Sequence, residues 1–218
     1  MKNRINKKAI LNYLGYQNQD LSDEFLAEMD EAIDTVLAAA KPNKIWKSML
    51  RSELDLVLIG EDINAHLGNA EQVILMAATL GHEVDFILRR SQRLDMKQAV
   101  ILDASASVVI ETYLDQEEDF LRQEFLQQGK YLSTRFSPGY GDLPLSIQDI
   151  FLKILDTNRK IGVTVLNNGL MSPMKSITCI MAILDEPVSK ATDPCSICRL
   201  KGDCVLRRRG GYCGRFRQ

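Results

Sequence analysis

Apolar positions in the first part of the chain recur at helical spacing. Between residues 23 and 40 the apolar side chains follow one another at intervals of four, four and three residues, at Phe25, Met29, Ile33 and Val36. This is the spacing of one buried face of an α-helix. Acidic residues fill the first turn, where they are favourable against the helix dipole. The pattern predicts a helix after Ser22, and a shorter one over residues 5–15 that ends at Gly15.

Other stretches have the pattern of strands. The sequence LDLVLIG (54–60) predicts a strand, and KYLSTRF (130–136) alternates as a half-buried strand does. Residues 71–81 are almost uniformly apolar, so periodicity does not decide between a buried strand and a buried helix. Residues 161–184 predict two strands separated by turn residues. Helices and strands mix without a regular βαβ alternation, which predicts an α+β fold with packed helices and a mixed or largely antiparallel sheet.

A helix predicted from Asp95 onwards, with Asp95 as its N-cap, carries a narrow polar stripe on an otherwise apolar surface. Four polar side chains recur there at intervals of four residues: Asp103, Ser107, Glu111 and Asp115. Such positions share one face of a helix. The stripe is either a solvated face or the polar wall of a ligand site, and both interpretations stay open. A separate charged helix is expected over residues 117–128.

A stiff turn interrupts these elements at RFSPGYGDLPLS (135–146). The Pro138-Gly139 pair predicts a type II turn, since proline presets the second position and glycine accepts the positive φ of the third. An amphipathic helix is expected to begin at Leu145 or Ser146. The turn therefore delivers the chain directly into the start of a helix.

Composition and charge describe an ordinary globular chain. Of its 218 residues 45% are hydrophobic and 26% charged, with a net charge of −2, so the chain can bury a core. No signal peptide and no membrane-spanning run are visible, which predicts a cytoplasmic protein with no membrane association. His66 and His82 are isolated and are expected to be capping or surface residues. Cys179 lies in an apolar run and is expected in the core.

The C-terminal segment differs in composition from the rest. Residues 194–218 carry a net charge of +6, so residues 1–193 carry −8. Four of the five cysteines stand within this tail, at Cys195, Cys198, Cys204 and Cys213. In a chain without an export signal this pattern favours a metal site over disulfides. The spacing leaves a structural Zn²⁺ site, an iron–sulfur cluster and a set of reduced thiols open. We expect a domain over residues 1–190 and a basic, metal-binding tail over residues 191–218.

Three motifs together resemble the activation (reactivation) domain of cobalamin-dependent methionine synthase. They are an Arg-x-x-Pro-Gly-Tyr turn entering a helix, a glycine at a strand start, and a Met-x-Pro-x-x-Ser segment. The matching residues are Arg135, Pro138, Gly139 and Tyr140, then Gly162, then Met171, Pro173 and Ser176. The helix that carries Glu111 is similar to a helix of that family with a glutamate at the corresponding place. The resemblance covers residues 95–184.

The resemblance implies an S-adenosylmethionine site. The family domain binds S-adenosylmethionine and presents its methyl group to cob(II)alamin while an electron arrives. Carried over, Arg135 would clamp the ligand, Ser137 and Gly139 would offer backbone groups, Tyr140 would wall the site, and Glu111 would face the cationic end. A planar guanidinium suits a carboxylate, and a carboxylate suits an ammonium or sulfonium. The tyrosine-containing strand that follows the Met-x-Pro segment in the family has no counterpart in DEPVSKATDP (185–194).

The implied partners are proteins. The chain has no room for a cobalamin-binding module, so the resemblance implies that it acts on a separate methionine synthase or another corrinoid protein, as a component of a methyltransferase. A flavodoxin or ferredoxin would supply the electron. The alternative is a binding protein in which the metal-ordered basic tail takes nucleic acid or an acidic protein partner and no methyl is transferred. The charge of −8 on residues 1–193 favours the acidic protein over nucleic acid.

Overall fold

The computed structural model describes residues 1–16, 19–167 and 169–187, together with Gly202. The helices of these residues are α1 (Lys7–Tyr13), α2 (Asp23–Ala39), α3 (Glu61–Leu67), α4 (His82–Leu94), α5 (Met96–Gln127), α6 (Ile147–Leu155) and α7 (Thr157–Ile161). The strands are β1 (Asn43–Leu50), β2 (Gln72–Thr79), β3 (Tyr131–Leu132), β4 (Thr164–Val165), β5 (Met171–Ser172) and β6 (Ser176–Leu184). Short 3₁₀ helices lie at Lys2–Arg4 and Arg51–Leu54.

The main sheet has four strands in the order β1-β2-β6-β3, and every neighbouring pair is antiparallel. Strands β4 and β5 form a separate two-stranded ribbon. The predicted α+β class with a largely antiparallel sheet and packed helices is confirmed.

Helices cover both faces of this sheet. On one face, Ile74 and Met76 of β2 join a core formed with α1, α2, α4 and α5. On the other face, Val73 and Leu75 join a second core with α3 and α6. Both faces of β2 are therefore buried, and its sequence is uniformly apolar because neither face meets solvent. This resolves the ambiguous segment 71–81 as a strand.

The prediction of a strand over residues 54–60 is wrong. Leu54 and Leu58 are buried but Leu56 is 92% exposed, so the buried positions are spaced as in a helical turn rather than a strand. The edge strand of the sheet is instead β1, which precedes this segment. Its partial exposure and its lysines, Lys44 and Lys47, are typical of a sheet edge and weaken the apolar pattern.

The predicted boundary near residue 117 is also wrong, because α5 continues without interruption from Met96 to Gln127. At 1.5 Å per residue this helix is about 48 Å long. Its N-cap is Asp95 as predicted, and the Asp95 carboxylate accepts a hydrogen bond from the Gln98 backbone N–H at 3.1 Å. The length of α5 allows one helix to carry the whole polar stripe.

No helix of the described residues is long and apolar enough to cross a membrane. The division into residues 1–190 and 191–218 stays a prediction, since almost all of the tail lies outside the described residues.

Candidate functional site

The Pro138-Gly139 turn has the predicted type II geometry. Gly139 has a φ of +90°, and the Tyr140 N–H donates to the Ser137 carbonyl at 3.1 Å, which closes the four-residue turn. Just before the turn, Phe136 exchanges two backbone hydrogen bonds with Ile180 of β6. The turn is thus the continuation of the sheet edge that β3 begins.

Helix α3 holds the far side of this turn. The Asp142 carboxylate accepts hydrogen bonds from the backbone N–H groups of Glu61 and Asp62 at the start of α3. A Cβ on Gly60 would lie 2.3 Å from Asp142, and a Cβ on Gly141 would lie 2.5 Å from Asp62. Two glycines are therefore required because α3 and the turn approach each other closely.

His66 supports the chain from α3 as well. Its Nε2 lies 2.8 Å from the Thr134 carbonyl, and its ring packs against Phe136 with 5.0 Å between centroids. Burial lowers the pKa of His66, which favours the neutral ring whose Nε2–H donates to that carbonyl. The expectation of a capping or surface residue therefore missed a contact that flanks the turn.

Arg135 points from the sheet edge towards α5. Its Nη2 donates to Glu111 Oε2 at 3.0 Å and to Asp115 Oδ1 at 2.9 Å. Its Nη1 lies 3.2 Å from Glu118 Oε2. The side chain of Arg135 is only 7% exposed, whereas those of Glu111 and Asp115 are each 43% exposed. Glu111 and Asp115, at the C-terminal end of the polar stripe, therefore form an ion cluster with the guanidinium of Arg135. The guanidinium is buried, whereas the two carboxylates are partly exposed to solvent.

A second arginine compensates the deepest acid of the cluster. Arg122 donates to Glu118 Oε1 from Nε at 2.9 Å and from Nη2 at 2.7 Å. It also donates to the backbone carbonyls of Leu132 and Ser133. Glu118 is fully buried, and such a burial is tolerated only when the charge is paired. Arg122 thus joins α5 to the end of β3.

Two pKa shifts mark this region. Burial raises the pKa of Glu111 above its ordinary value, against the opposing effect of Arg135 and with a smaller contribution from the negative charge of Asp115. Burial also raises the pKa of the Cys179 thiol to about 12. Perturbed titration in an accessible cluster is typical of functional sites.

Asp103 and Ser107, at the N-terminal end of the stripe, are paired with Lys175. The Lys175 ammonium lies 2.8 Å from Asp103 and donates to Ser107 Oγ at 2.9 Å. Beside it is an open depression of about 200 Å³. Its walls include Tyr13, Ser107, Glu111, Met174, Lys175 and Ser176. The stripe is therefore not a plain solvated face, because Arg135 and Lys175 from the sheet side pair with it.

The Met-x-Pro-x-x-Ser segment is fixed against α4. The buried carboxylate of Asp85 accepts the Met174 N–H, at 3.1 Å to one oxygen and 3.0 Å to the other. The Ser176 hydroxyl donates to the Pro173 carbonyl at 2.7 Å and lies 2.9 Å from the Thr79 hydroxyl. The serine of the motif therefore closes the bend that leads into β6, and the bend forms part of the depression.

The three turn residues predicted at the site offer different groups. Tyr140 is 48% exposed. The Gly139 N–H donates to the Leu143 carbonyl at 2.8 Å, so towards a ligand Gly139 offers its carbonyl oxygen and not its N–H. Ser137 is half-buried, and its carbonyl accepts the hydrogen bond that closes the turn.

The structure brings Glu111 and Arg135 together, at one end of the turn that carries Ser137, Gly139 and Tyr140. Their roles towards a ligand stay predictions. Glu118, Arg122 and Lys175 were not identified from the sequence. The four-residue spacing of Glu118 and Arg122 is the one available signal, because such pairs face each other on a helix.

The four cysteines of the predicted metal site, Cys195, Cys198, Cys204 and Cys213, lie outside the described residues. Among residues 1–16, 19–167 and 169–187 no group of three or more His, Cys, Asp or Glu side chains is arranged to hold a metal ion. Cys179 is fully buried as predicted.

One solved structure with a similar fold is described as the MetH reactivation domain bound to AdoHcy. The two chains superpose with a TM-score of 0.63 and are 14% identical, over 96% of this chain and 82% of that one. At this identity the likeness shows the fold alone, and the fold that the sequence resemblance implied is confirmed. No family model matches the sequence, and no curated protein matches it.

Proposed function

We propose that this chain binds S-adenosylmethionine and supports the reductive remethylation of cob(II)alamin on a methionine synthase or related corrinoid partner. One observation carries the proposal: the Arg-x-x-Pro-Gly-Tyr turn lies against the acidic stripe of α5, within a fold like that of a reactivation domain solved with S-adenosylhomocysteine. The motif, the partner helix and the fold therefore point to the same class of ligand.

The amino-acid part of S-adenosylmethionine suits the ion cluster because its two charged groups can replace the partners that Arg135 and one of the carboxylates have in each other. Arg135 is held by Glu111 and Asp115. A bound amino acid brings a carboxylate for the guanidinium and an ammonium for one of the acids. Each charge thus keeps a partner, which a simple anion or a simple cation would not achieve, and unpaired buried charge is costly. Arg135 would then clamp the carboxylate as the resemblance implies.

The turn would complete the site. Tyr140 is exposed enough to cover the flat face of a nucleoside, a contact for which aromatic rings are suited. Ser137 and the Gly139 carbonyl offer backbone groups along the same edge. Because α3 fixes Asp142 and the Thr134 carbonyl on either side, these groups hold their positions before ligand binds.

The chain's contribution to the reaction is positioning. The corrinoid partner supplies the cobalt that accepts the methyl group, and an external donor supplies the electron. Holding the methyl donor in a fixed orientation lowers the entropic part of the barrier. The proposal requires no acid–base residue, since methyl transfer from a sulfonium leaves a neutral thioether and moves no proton.

A label-transfer assay tests this function. The full chain is mixed with S-adenosylmethionine labelled in its methyl group, a cobalamin-loaded methionine synthase in the cob(II)alamin state, and titanium(III) citrate as reductant. We expect the label to reach the corrinoid with the wild-type chain and with Arg159→Lys, and to be reduced at least about tenfold with Arg135→Lys. Arg159 is exposed and serves as the matched control. If the wild-type chain binds the ligand but transfers no label to the corrinoid, remethylation is excluded while binding stands.

We further propose that Cys195, Cys198, Cys204 and Cys213 bind Zn²⁺ or an iron–sulfur cluster. The pattern of four cysteines within nineteen residues supports this. Anaerobic purification followed by metal and sulfide analysis tests it. Cys198→Ser should lose the metal, whereas Cys179→Ser should keep it because Cys179 is a buried core residue. Metal-free wild-type protein would contradict the proposal.

The basic tail is proposed to contact an acidic protein, such as a flavodoxin, a ferredoxin or the corrinoid protein. The charges of +6 on residues 194–218 and −8 on residues 1–193 support a protein partner, because the acidic part of the chain would repel nucleic acid. Tight, salt-sensitive binding of random duplex DNA at physiological salt would favour the nucleic-acid alternative instead.

A further inference from the structure

We propose that the outer face of α4, formed by Phe86, Arg89, Arg90 and Arg93, is a docking surface for a small acidic electron-carrier protein. The inference deepens the proposed function, which requires an external electron donor, and it rests on that function for the choice of partner. It adds a protein contact on a helix of the main domain, separate from the basic tail.

The four side chains share one side of α4. They stand at positions i, i+3, i+4 and i+7, and residues at these intervals lie along one face of a helix. All four are exposed to solvent. The opposite face carries the buried side chains of the helix, which are Val84, Asp85, Leu88 and Ser91. Phe86 and Arg93 therefore follow the middle of the outer face, with Arg89 and Arg90 on either side of them.

The three arginines of this face have no partner among the described residues. None of Arg89, Arg90 and Arg93 makes a hydrogen bond or an ion pair there. The other arginines of the described residues all do, namely Arg4, Arg51, Arg122, Arg135 and Arg159. The acids of the same helix are engaged elsewhere, since Glu83 contacts Lys41 and Asp85 accepts the Met174 N–H. The guanidinium donors of the outer face are therefore available to another molecule.

Exposed apolar groups accompany these charges. Phe86 is 68% exposed, and Leu94, four residues beyond Arg90, is 74% exposed. Aromatic residues and arginine are both enriched in protein–protein interfaces. The ring and the leucine offer contact area, while the guanidinium groups offer charge and paired donors. The outer face of α4 thus has the composition of an interface with a protein.

Charge complementarity identifies the partner as an acidic protein. Carboxylates on its surface would pair with the guanidinium groups, and their attraction would steer the encounter. A twofold dimer of this chain that used the face would bring arginines against arginines, because such an interface meets itself. Nucleic acid would be repelled by the charge of −8 on residues 1–193.

The size and position of the face favour an electron carrier over the corrinoid protein. Helix α4 has 13 residues and is therefore about 20 Å long, and small interfaces are typical of transient electron-transfer complexes. Asp85, on the inner side of α4, contacts Met174, which lines the open depression. The arginines lie on the other side of the helix. A protein bound to them need not cover the depression, which the corrinoid has to reach.

Calorimetric titration of the full chain with an oxidised flavodoxin, at low and at physiological ionic strength, tests the inference. The face variant Arg89→Gln/Arg90→Gln/Arg93→Gln removes three charges from α4. The control variant Lys8→Gln/Lys47→Gln/Lys160→Gln removes the same number of exposed charges elsewhere. At low ionic strength we expect the face variant to bind at least about tenfold more weakly than wild type, and the control variant to stay within about threefold.

A separate variant tests the apolar part of the face. Phe86→Ala should also weaken flavodoxin binding, but with the salt dependence of wild type, because it removes contact area and no charge. Thermal unfolding of each variant checks that it is folded, as expected for substitutions of exposed side chains.

Three results would overturn the inference. Equal weakening in the face and control variants would mean that net charge alone governs binding. Unchanged binding by the face variant would mean that flavodoxin does not contact α4. A face variant that loses binding of random duplex DNA, or self-association in sedimentation, while it keeps flavodoxin binding would assign the face to nucleic acid or to a second copy of the chain.

Titration with S-adenosylmethionine separates this inference from the proposed function. The face variant should bind the ligand as wild type does. If the wild type takes up S-adenosylmethionine but no flavodoxin, the docking surface is wrong and ligand binding stands. If the wild type binds flavodoxin through α4 but takes up no S-adenosylmethionine, the docking surface stands and the proposed function fails.

Discussion

Arg135 and Glu118 face each other across the space between the sheet edge and α5, with 3.2 Å between Nη1 and Oε2. Arg135 Nη1 makes no hydrogen bond within the described residues, so the attraction at this point is that of two charges rather than of an aligned donor and acceptor. The two side chains are 7% and 0% exposed. The stability of this part of the fold therefore depends on the charge at position 135.

Removing that charge should destabilise the chain. Arg135→Ala removes the guanidinium that Glu111, Asp115 and Glu118 contact, and breaking a buried ion pair costs about 3 kcal/mol of unfolding free energy. Arg135→Lys should cost less because it keeps the charge. Urea denaturation measures both, with the exposed Arg159→Ala as the control, expected within about 0.5 kcal/mol of wild type. Equal stability of Arg135→Ala and Arg159→Ala would show that the cluster does not stabilise the fold.

The close approach of α3 and the turn gives a second test. Gly141 has a φ of +52°, and an added Cβ would lie 2.5 Å from Asp62. Gly129 has a φ of +70° with nothing within 4 Å of its added Cβ. Both alanine variants should lose about 1 kcal/mol for the left-handed backbone. Gly141→Ala should lose about 1 kcal/mol more from the clash. Identical unfolding curves for the two variants would contradict the contact with Asp62.

Glu111 should make ligand affinity and protein stability respond to pH in opposite directions. Burial raises the pKa of Glu111 in the folded chain, so the folded state binds the proton more tightly than the unfolded state does. Between the ordinary and the raised pKa, stability from this group rises as the pH falls. Over the same range S-adenosylmethionine affinity should fall, because the carboxylate that receives the cation is being neutralised.

Glu111→Gln isolates this behaviour. Unfolding free energies and calorimetric affinities, measured for wild type and variant from pH 7 downwards, give the contribution of Glu111 as a difference. Both differences should change above pH 4.5, the ordinary value for glutamate. Differences that are flat down to pH 4.5 would mean that the pKa is not raised.

Cys179 should be inert in the folded chain. Its thiol is fully buried and burial raises its pKa to about 12, and the thiolate is the reactive form. After iodoacetamide treatment at pH 8, mass analysis of proteolytic peptides should find Cys179 unmodified in the native protein and alkylated in urea. Alkylation of Cys179 under native conditions would indicate that the core beneath α5 opens readily.

Local chemistry that acts within a few residues could be predicted from the sequence. The type II turn at Pro138-Gly139 and the cap at Asp95 follow from single side chains and the backbone next to them. The spacing of apolar residues was likewise sufficient to predict α2, because the buried face of this helix is apolar and its exposed face is not.

Elements whose environment is set by distant residues were harder to predict. Strand β1 is an exposed edge and lacks an apolar alternation, whereas LDLVLIG (54–60) has one without forming a strand. In the site, Glu111 and Arg135 were predicted as separate groups for the two ends of a ligand. That they pair with each other depends on the packing of α5 against the sheet edge, which no local pattern encodes.

Calorimetric titration of the wild-type chain and of Arg135→Lys with S-adenosylmethionine is the most direct test of the central claim. We expect binding of one ligand per wild-type chain, and an affinity reduced at least about tenfold in Arg135→Lys, because lysine keeps the charge but not the paired donors of the guanidinium. Arg159→Lys should bind as wild type does. A folded wild-type chain that takes up no S-adenosylmethionine, or an Arg135→Lys chain that binds it unchanged, would contradict a ligand site built on Arg135.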